Sequence, residues 1–122
     1  MKKLILFSVL IAFVISSFAQ PWEYQYANTL GGTDGSERPA GIVLDGNDNL
    51  LHAGNFSSSS INIASTIIDH GSPGSENENA FLASYANDGS LNWAKGLTGN
   101  RGVSIKFIKH APNNTNYLFG DF

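Results

Sequence analysis

Leu51-His52-Ala53-Gly54-Asn55-Phe56 and Tyr117-Leu118-Phe119-Gly120-Asp121-Phe122 read as two versions of one strand, standing 66 residues apart (120 minus 54). A second match pairs Tyr26-Ala27-Asn28-Thr29-Leu30-Gly31-Gly32 with Trp93-Ala94-Lys95-Gly96-Leu97-Thr98-Gly99 at a spacing of 67 (93 minus 26), so the copies keep order and register apart from a one-residue slip. Self-similarity at a fixed period is the mark of a repeat architecture, in which each unit shares its core with its neighbours. Repeats of this kind build a scaffold. Nothing in them names the molecule the scaffold holds.

Outward from those two strands, the chain is a series of short apolar or alternating runs cut by Gly, Asn, Asp and Ser clusters, the sequence form of many short strands. Strands are expected at Tyr24–Leu30, Ala40–Leu44, Leu50–Phe56, Ile61–Ile68, Ala80–Tyr85, Leu91–Leu97, Val103–Ile108 and Tyr117–Phe122. Ile, Val, Tyr, Phe and Trp inside the runs favour that state. Asp45-Gly46-Asn47-Asp48-Asn49 and Asn87-Asp88-Gly89 offer the positive φ that tight hairpins need. Several runs are apolar on both faces: Ile42 and Leu44 against Val43, Phe81 and Tyr85 against Leu82, Leu91 and Trp93 against Ala94, Ile105 and Phe107 against Ile108. A sheet with one wet face alternates more cleanly, so both faces are expected to be covered, as when small antiparallel sheets stack around a propeller axis. Gly54, Gly96 and Gly120 inside strands fit close backbone approach or a bulge. The expected fold class is all-β, with antiparallel β-propeller blades in an incomplete propeller. One full repeat spans about 40–97 and a partial second about 106–122, within a repeat region of 20–122. Because repeat arrays need about three units, residues 20–122 alone are expected to self-associate through the open edge of the last strand.

The first nineteen residues have a basic start at Lys2 and Lys3, an apolar run from Leu4 to Ile15 and a small-residue exit at Ser17-Phe18-Ala19. Twelve residues make a helix of roughly 18 Å, short of the ~30 Å hydrocarbon core, so residues 1–19 read as a signal peptide cleaved before Gln20. The competing reading is an uncleaved anchor. Cleavage takes the formal charge from −3 to −5, because Lys2 and Lys3 leave and all ten acidic residues stay. The cations that remain, Arg38, Lys95, Arg101, Lys106 and Lys109, form no basic run, which argues against a nucleic-acid partner. With no cysteine in an exported chain, neither disulfides nor cysteine lipidation is available.

An ordered set of segments resembles a known family: Leu30-Gly31-Gly32, then Gly41-Ile42-Val43-Leu44-Asp45-Gly46-Asn47-Asp48-Asn49-Leu50, Ala53-Gly54-Asn55-Phe56, Ala80-Phe81-Leu82-Ala83-Ser84-Tyr85 and Asp88-Gly89-Ser90-Leu91-Asn92-Trp93-Ala94-Lys95. Together they look like the SBBP-type β-propeller repeat of exported bacterial proteins. Leu50-Leu51 stands where that repeat often has an aromatic-valine pair, and Ala83-Ser84 where it often has alanine-lysine. The resemblance implies a blade of a multi-bladed propeller in a secreted or surface protein, usually without catalytic activity.

Candidate chemistry is sparse. Asp45, Asn47 and Asn49 reproduce the 1-3-5 oxygen ligands of a calcium loop, but Leu50 and Phe56 stand where that loop needs glycine and a bidentate glutamate, so a hairpin turn explains them better. His52, His70 and His110 lack partners at metal-ligand spacing. Asp69, His70 and Ser72 bring three triad residue types close in sequence, yet triads are assembled from separated elements, and a Gly-Ser-Pro-Gly loop suffices. Glu76 and Glu78 read as solvated loop carboxylates. Trp22, Tyr24, Tyr26 and Trp93 fit core positions better than a sugar-stacking platform. Gly31-Gly32 matches no phosphate loop, and Ser57 to Ser60 carries no assignable chemistry. Asn55-Phe56-Ser57 and Asn113-Asn114-Thr115 match the glycosylation acceptor pattern, and a bacterial source would make both matches meaningless.

No catalytic, cofactor-binding or metal residue is therefore assigned. The expectation is a non-catalytic exported scaffold, at the cell surface, in the periplasm or outside the cell, binding protein or carbohydrate. The rival is a fragment of a propeller-based polysaccharide-active enzyme with its catalytic residues on other blades.

Overall fold

The computed structural model describes residues 27–71, 77–99 and 101–122. The leader reading over 1–19 and the start of the expected strand at Tyr24 lie outside them. Nine strands and no helix occur among the described residues: β1 (Leu30–Gly32), β2 (Glu37–Leu44), β3 (Leu50–Phe56), β4 (Ser60–Ile63), β5 (Thr66–Asp69), β6 (Asn79–Tyr85), β7 (Leu91–Leu97), β8 (Ser104–Ala111) and β9 (Thr115–Asp121).

Strands β2, β3, β6 and β7 form a four-stranded antiparallel sheet in that order. Between β3 and β6 the chain detours through β4 and β5, which join β1 in a three-stranded sheet, and β8 with β9 makes a separate hairpin. All pairings are antiparallel and none of the sheets closes into a barrel. The all-β expectation holds.

A single strand over Ile61–Ile68 is not what forms. The chain reverses at Ala64-Ser65, whose φ values of 44° and 75° are both positive, and Asn62 Oδ1 accepts the Ser65 N–H at 2.9 Å to hold the turn. A straight run would separate Ile61 from Ile68 by roughly 24 Å at the usual strand rise. Folded back, they are cross-strand partners and are buried together. Burial of both isoleucines offsets the strain of two L-residues in the left-handed region, of order 1–2 kcal/mol each.

Three other hairpins share one build. In Asp45–Asn49, Ala86–Ser90 and Ala111–Thr115 the fourth N–H bonds back to the first carbonyl, at 3.1, 2.9 and 3.1 Å, and that fourth residue takes the positive φ: Asp48, Gly89 and Asn114. In the first turn the left-handed residue is thus Asp48, and the neighbouring Gly46 does not carry it. Asn and Asp tolerate this conformation better than other non-glycine residues.

The four-stranded sheet has two buried faces. Its front carries Leu51, Ala53 and Ala80, which pack against Val103, Ile105 and Ile108 at the β8–β9 hairpin. Its back carries Phe56, Phe81, Ala83 and Tyr85, which pack against Ile61, Ile63 and Ile68 of the three-stranded sheet. Covering on both sides, expected from four apolar runs, is found in β6 and also in β3, whereas β2, β7 and β8 each keep an open face, with Ile42 and Leu44, Trp93 and Phe107 exposed.

Two assignments of facing are corrected by bulges. An extra residue in β7 at Asn92 puts Leu91 and Ala94 together on the back and turns Trp93 to the front, where it is partly exposed with Lys95 Nζ 5.7 Å from its ring centroid. Trp93 is therefore not core. An extra residue in β8 at Lys106 likewise puts Ile105 and Ile108 on the buried face and sends Phe107 to the other. Each bulge shifts the alternation by one residue, so a strict period of two assigns the wrong face beyond it.

Candidate functional site

Several of the described residues singled out for chemistry are engaged by the fold. Asp45 Oδ1 accepts the N–H of Asn47 at 2.8 Å and of Asn49 at 3.0 Å, and Asn49 Nδ2 donates to Oδ2 at 3.0 Å. The Asn49 side chain and these backbone donors hold the Asp45 carboxyl below the usual range. Both oxygens serve the turn, and no group of three or more His, Asp or Glu among the described residues could hold a metal ion. Asp34 and Asp88 do the same work, accepting the N–H and hydroxyl of Ser59 and of Ser90, with their carboxyls also held low.

His70 is buried with Nε2 2.8 Å from the Asn77 carbonyl, to which it can only donate, while its own carbonyl accepts from Asn79 Nδ2 at 2.6 Å. Ser72 and Glu76 lie outside the described residues, as do Trp22, Tyr24 and Tyr26. Glu78 pairs with Arg38, and its carbonyl accepts the Val103 N–H at 2.8 Å, tying the entry of β8 to the first sheet. His52 meets the edge of Phe81 at 5.2 Å, and burial pushes its pKa down. His110 Nδ1 bonds Asn116 Oδ1 at 2.8 Å. In the serine run, Ser57 bonds Ser36, Ser58 bonds Glu37 and Ser59 bonds Asp34.

The seam between the two stacked sheets is more specific. Asn55, buried on the front of β3, donates Nδ2 to the Ile105 carbonyl at 2.8 Å and accepts the Ile105 N–H through Oδ1 at 2.7 Å. One side-chain amide thus satisfies both backbone groups of a residue on the opposing sheet. Beside it, Ile108 sits over Gly41, where a Cβ would stand 3.2 Å from Ile108 Cγ2. This clamp fixes how β8–β9 seats on β2–β3. Sequence reading missed it, because a polar residue between Gly54 and Phe56 was weighed only as a glycosylation acceptor; its signal was an asparagine in an otherwise apolar strand.

On the far side of the hairpin lies the one extended aromatic face among the described residues. Phe107 stacks on Phe119 with ring centroids 4.4 Å apart, Tyr117 lies next to Phe119 at 6.4 Å, and all three are exposed. Lys109, opposite Tyr117 in the ladder, and Lys106, whose Nζ is 3.3 Å from Asp121, flank them. Such an arrangement can bind a surface.

No family model, curated protein or solved structure matches the chain.

Proposed function

We propose that this chain is a non-catalytic, exported scaffold of SBBP-type β-propeller repeats that binds a protein or carbohydrate at the cell surface. The observation that carries the reading is the repeat itself: the hairpin β2–β3 recurs as β8–β9, and the second copy stacks face to face on the first through a dedicated clamp. Sheets arranged this way extend by adding units, as propellers do. Support also comes from the polar groups, since Asp45 holds a turn, Glu78 pairs with Arg38, His70 and His110 are hydrogen-bonded and His52 packs on Phe81.

The test uses the secreted chain. Its intact mass should begin at Gln20, and incubation with cell-wall polysaccharides should retard its migration in affinity electrophoresis without shortening the polysaccharide. Shortened polysaccharide would favour the enzyme reading. A membrane-bound product that keeps Met1 would remove export from the proposal.

A further inference from the structure

Every residue of the β2–β3 hairpin has a counterpart 66 positions later, and the two sets differ in what covers them. Ile108 and Ile105, on the back of the second hairpin, are 7 % and 1 % exposed because they sit on the front of the first. Ile42, the counterpart of Ile108 (108 minus 42 is 66), is 59 % exposed on the back of β2, and Leu44 beside it is 58 % exposed. Conversely, Gly41, Leu51 and Ala53 on the front of the first hairpin are covered, whereas their counterparts Phe107, Tyr117 and Phe119 are 49 %, 47 % and 43 % exposed. Among the described residues there is thus one front-to-back contact, and the back of β2 and the front of β8–β9 carry exposed halves of the same contact.

We propose that a second copy of this chain docks the back of its β2 onto the front of β8–β9, repeating between molecules the stacking made within one. The inference rests on the stacked-repeat reading above and adds the identity of the neighbour. Apolar surface is present on both halves, Ile42 and Leu44 on the back of β2 and Phe107, Tyr117 and Phe119 on the front of β8–β9, and the register of the internal contact matches Ile42 to the place of Ile108. A front-to-front pair would leave Ile42 and Leu44 in water. A heterologous contact of this kind propagates, either closing a ring or growing an open chain.

Two exchanges make the contact between molecules weaker than the one within. Pro39 occupies the place of Ile105 and has no N–H, and Asp121 occupies the place of Asn55 and has no donor, so neither half of the clamp can form. Phe107 in place of Gly41 also fills the recess that takes Ile108. Association is accordingly reversible and concentration-dependent.

Sedimentation velocity on the mature chain and four variants tests this. Wild type should gain mass with concentration. Ile42→Lys closes the back and Phe119→Lys closes the front, so each alone should lose association, while an equimolar mixture should form a dimer and nothing larger. Pro39→Ile with Asp121→Asn restores both halves of the clamp and should tighten the contact about tenfold or more, as expected for two added hydrogen bonds; no tightening would overturn the register. Dimers of Ile42→Lys alone would establish front-to-front pairing and overturn the proposal. So would association that survives both lysines in one chain, which would belong to the strand edges, or a wild type that stays monomeric throughout. Leu44→Lys and Tyr117→Lys repeat the experiment if either first variant fails to fold. The Asn55→Ala measurement given below reads the internal stacking separately, so a failed association with an intact clamp removes only the second copy as the neighbour.

Discussion

The hairpins β2–β3 and β8–β9 share a bulge, a turn and a glycine in register, yet one is a core element and the other a surface. The bulge residues are Ala40 and Lys106, the left-handed turn residues are Asp48 and Asn114, and the close-packed glycines are Gly54 and Gly120, each pair 66 apart. A Cβ on Gly54 would stand 2.6 Å from the Phe81 ring, and one on Gly120 would run into the Ser104 carbonyl. What differs is the residues on the faces. The first hairpin offers a small, cupped front of Gly41, Leu51 and Ala53; the second offers a flat aromatic one. The two hairpins share backbone devices, while their face chemistry differs with what each face meets.

The largest expected break in that comparison is at the isoleucines. Ile108→Ala empties a buried seat over Gly41 and should cost about 3 kcal/mol, whereas Ile42→Ala, at the same place in the first copy, should change stability by about 0.5 kcal/mol or less. Urea titrations of the two variants measure it. Equal losses would show that the back of β2 is covered in the free molecule.

The clamp comes next. Asn55→Ala leaves the buried N–H and carbonyl of Ile105 without partners and should cost about 2–3 kcal/mol, with hydrogen exchange of the Ile105 amide accelerated. Asp121→Ala loses only an exposed pairing with Lys106 and should be nearly neutral. Unchanged protection at Ile105 in Asn55→Ala would sink the assignment of the clamp.

The smallest effect sharpens the comparison by pH. His52 faces Phe81 in a recess also lined by Leu30, Glu37, Arg38 and Pro39, and its counterpart in the second copy is Leu118. Because burial lowers the folded-state pKa, the unfolded chain takes up the proton first as pH falls below the ordinary value of about 6.5. The sign follows: stability is fully present above that pH and declines as pH drops toward the depressed value. Urea midpoints at pH 7.5 and 5.5 should therefore differ more in wild type than in His52→Leu. A His52→Leu chain with the wild-type pH slope would mean that another group governs it.

Strands β3 and β7 begin and end where alternation and flanking turn residues placed them, because Asp45–Asn49 and a serine run bound β3, and Asn87-Asp88-Gly89-Ser90 and Thr98-Gly99 bound β7. The β4–β5 reversal was illegible for the opposite reason. Ala64-Ser65 is a poor positive-φ pair, and only the back of the four-stranded sheet, waiting for Ile61, Ile63 and Ile68 together, selects it. The match of 26–32 with 93–99 also does not translate into equivalent places among the described residues, since β1 pairs with β4 while β7 pairs with β6. Sequence likeness over seven residues does not specify which edge a strand finds.

The chain's own pattern determined the all-β class and the turns at Asp45–Asn49 and Ala86–Ser90, because those follow from local φ preferences and from apolar content summed over short runs. Facing and neighbours were decided only in three dimensions. A bulge moves every residue beyond it to the other side of the sheet without altering composition, and an asparagine becomes an inter-sheet clamp only when a backbone 50 positions away arrives beside it.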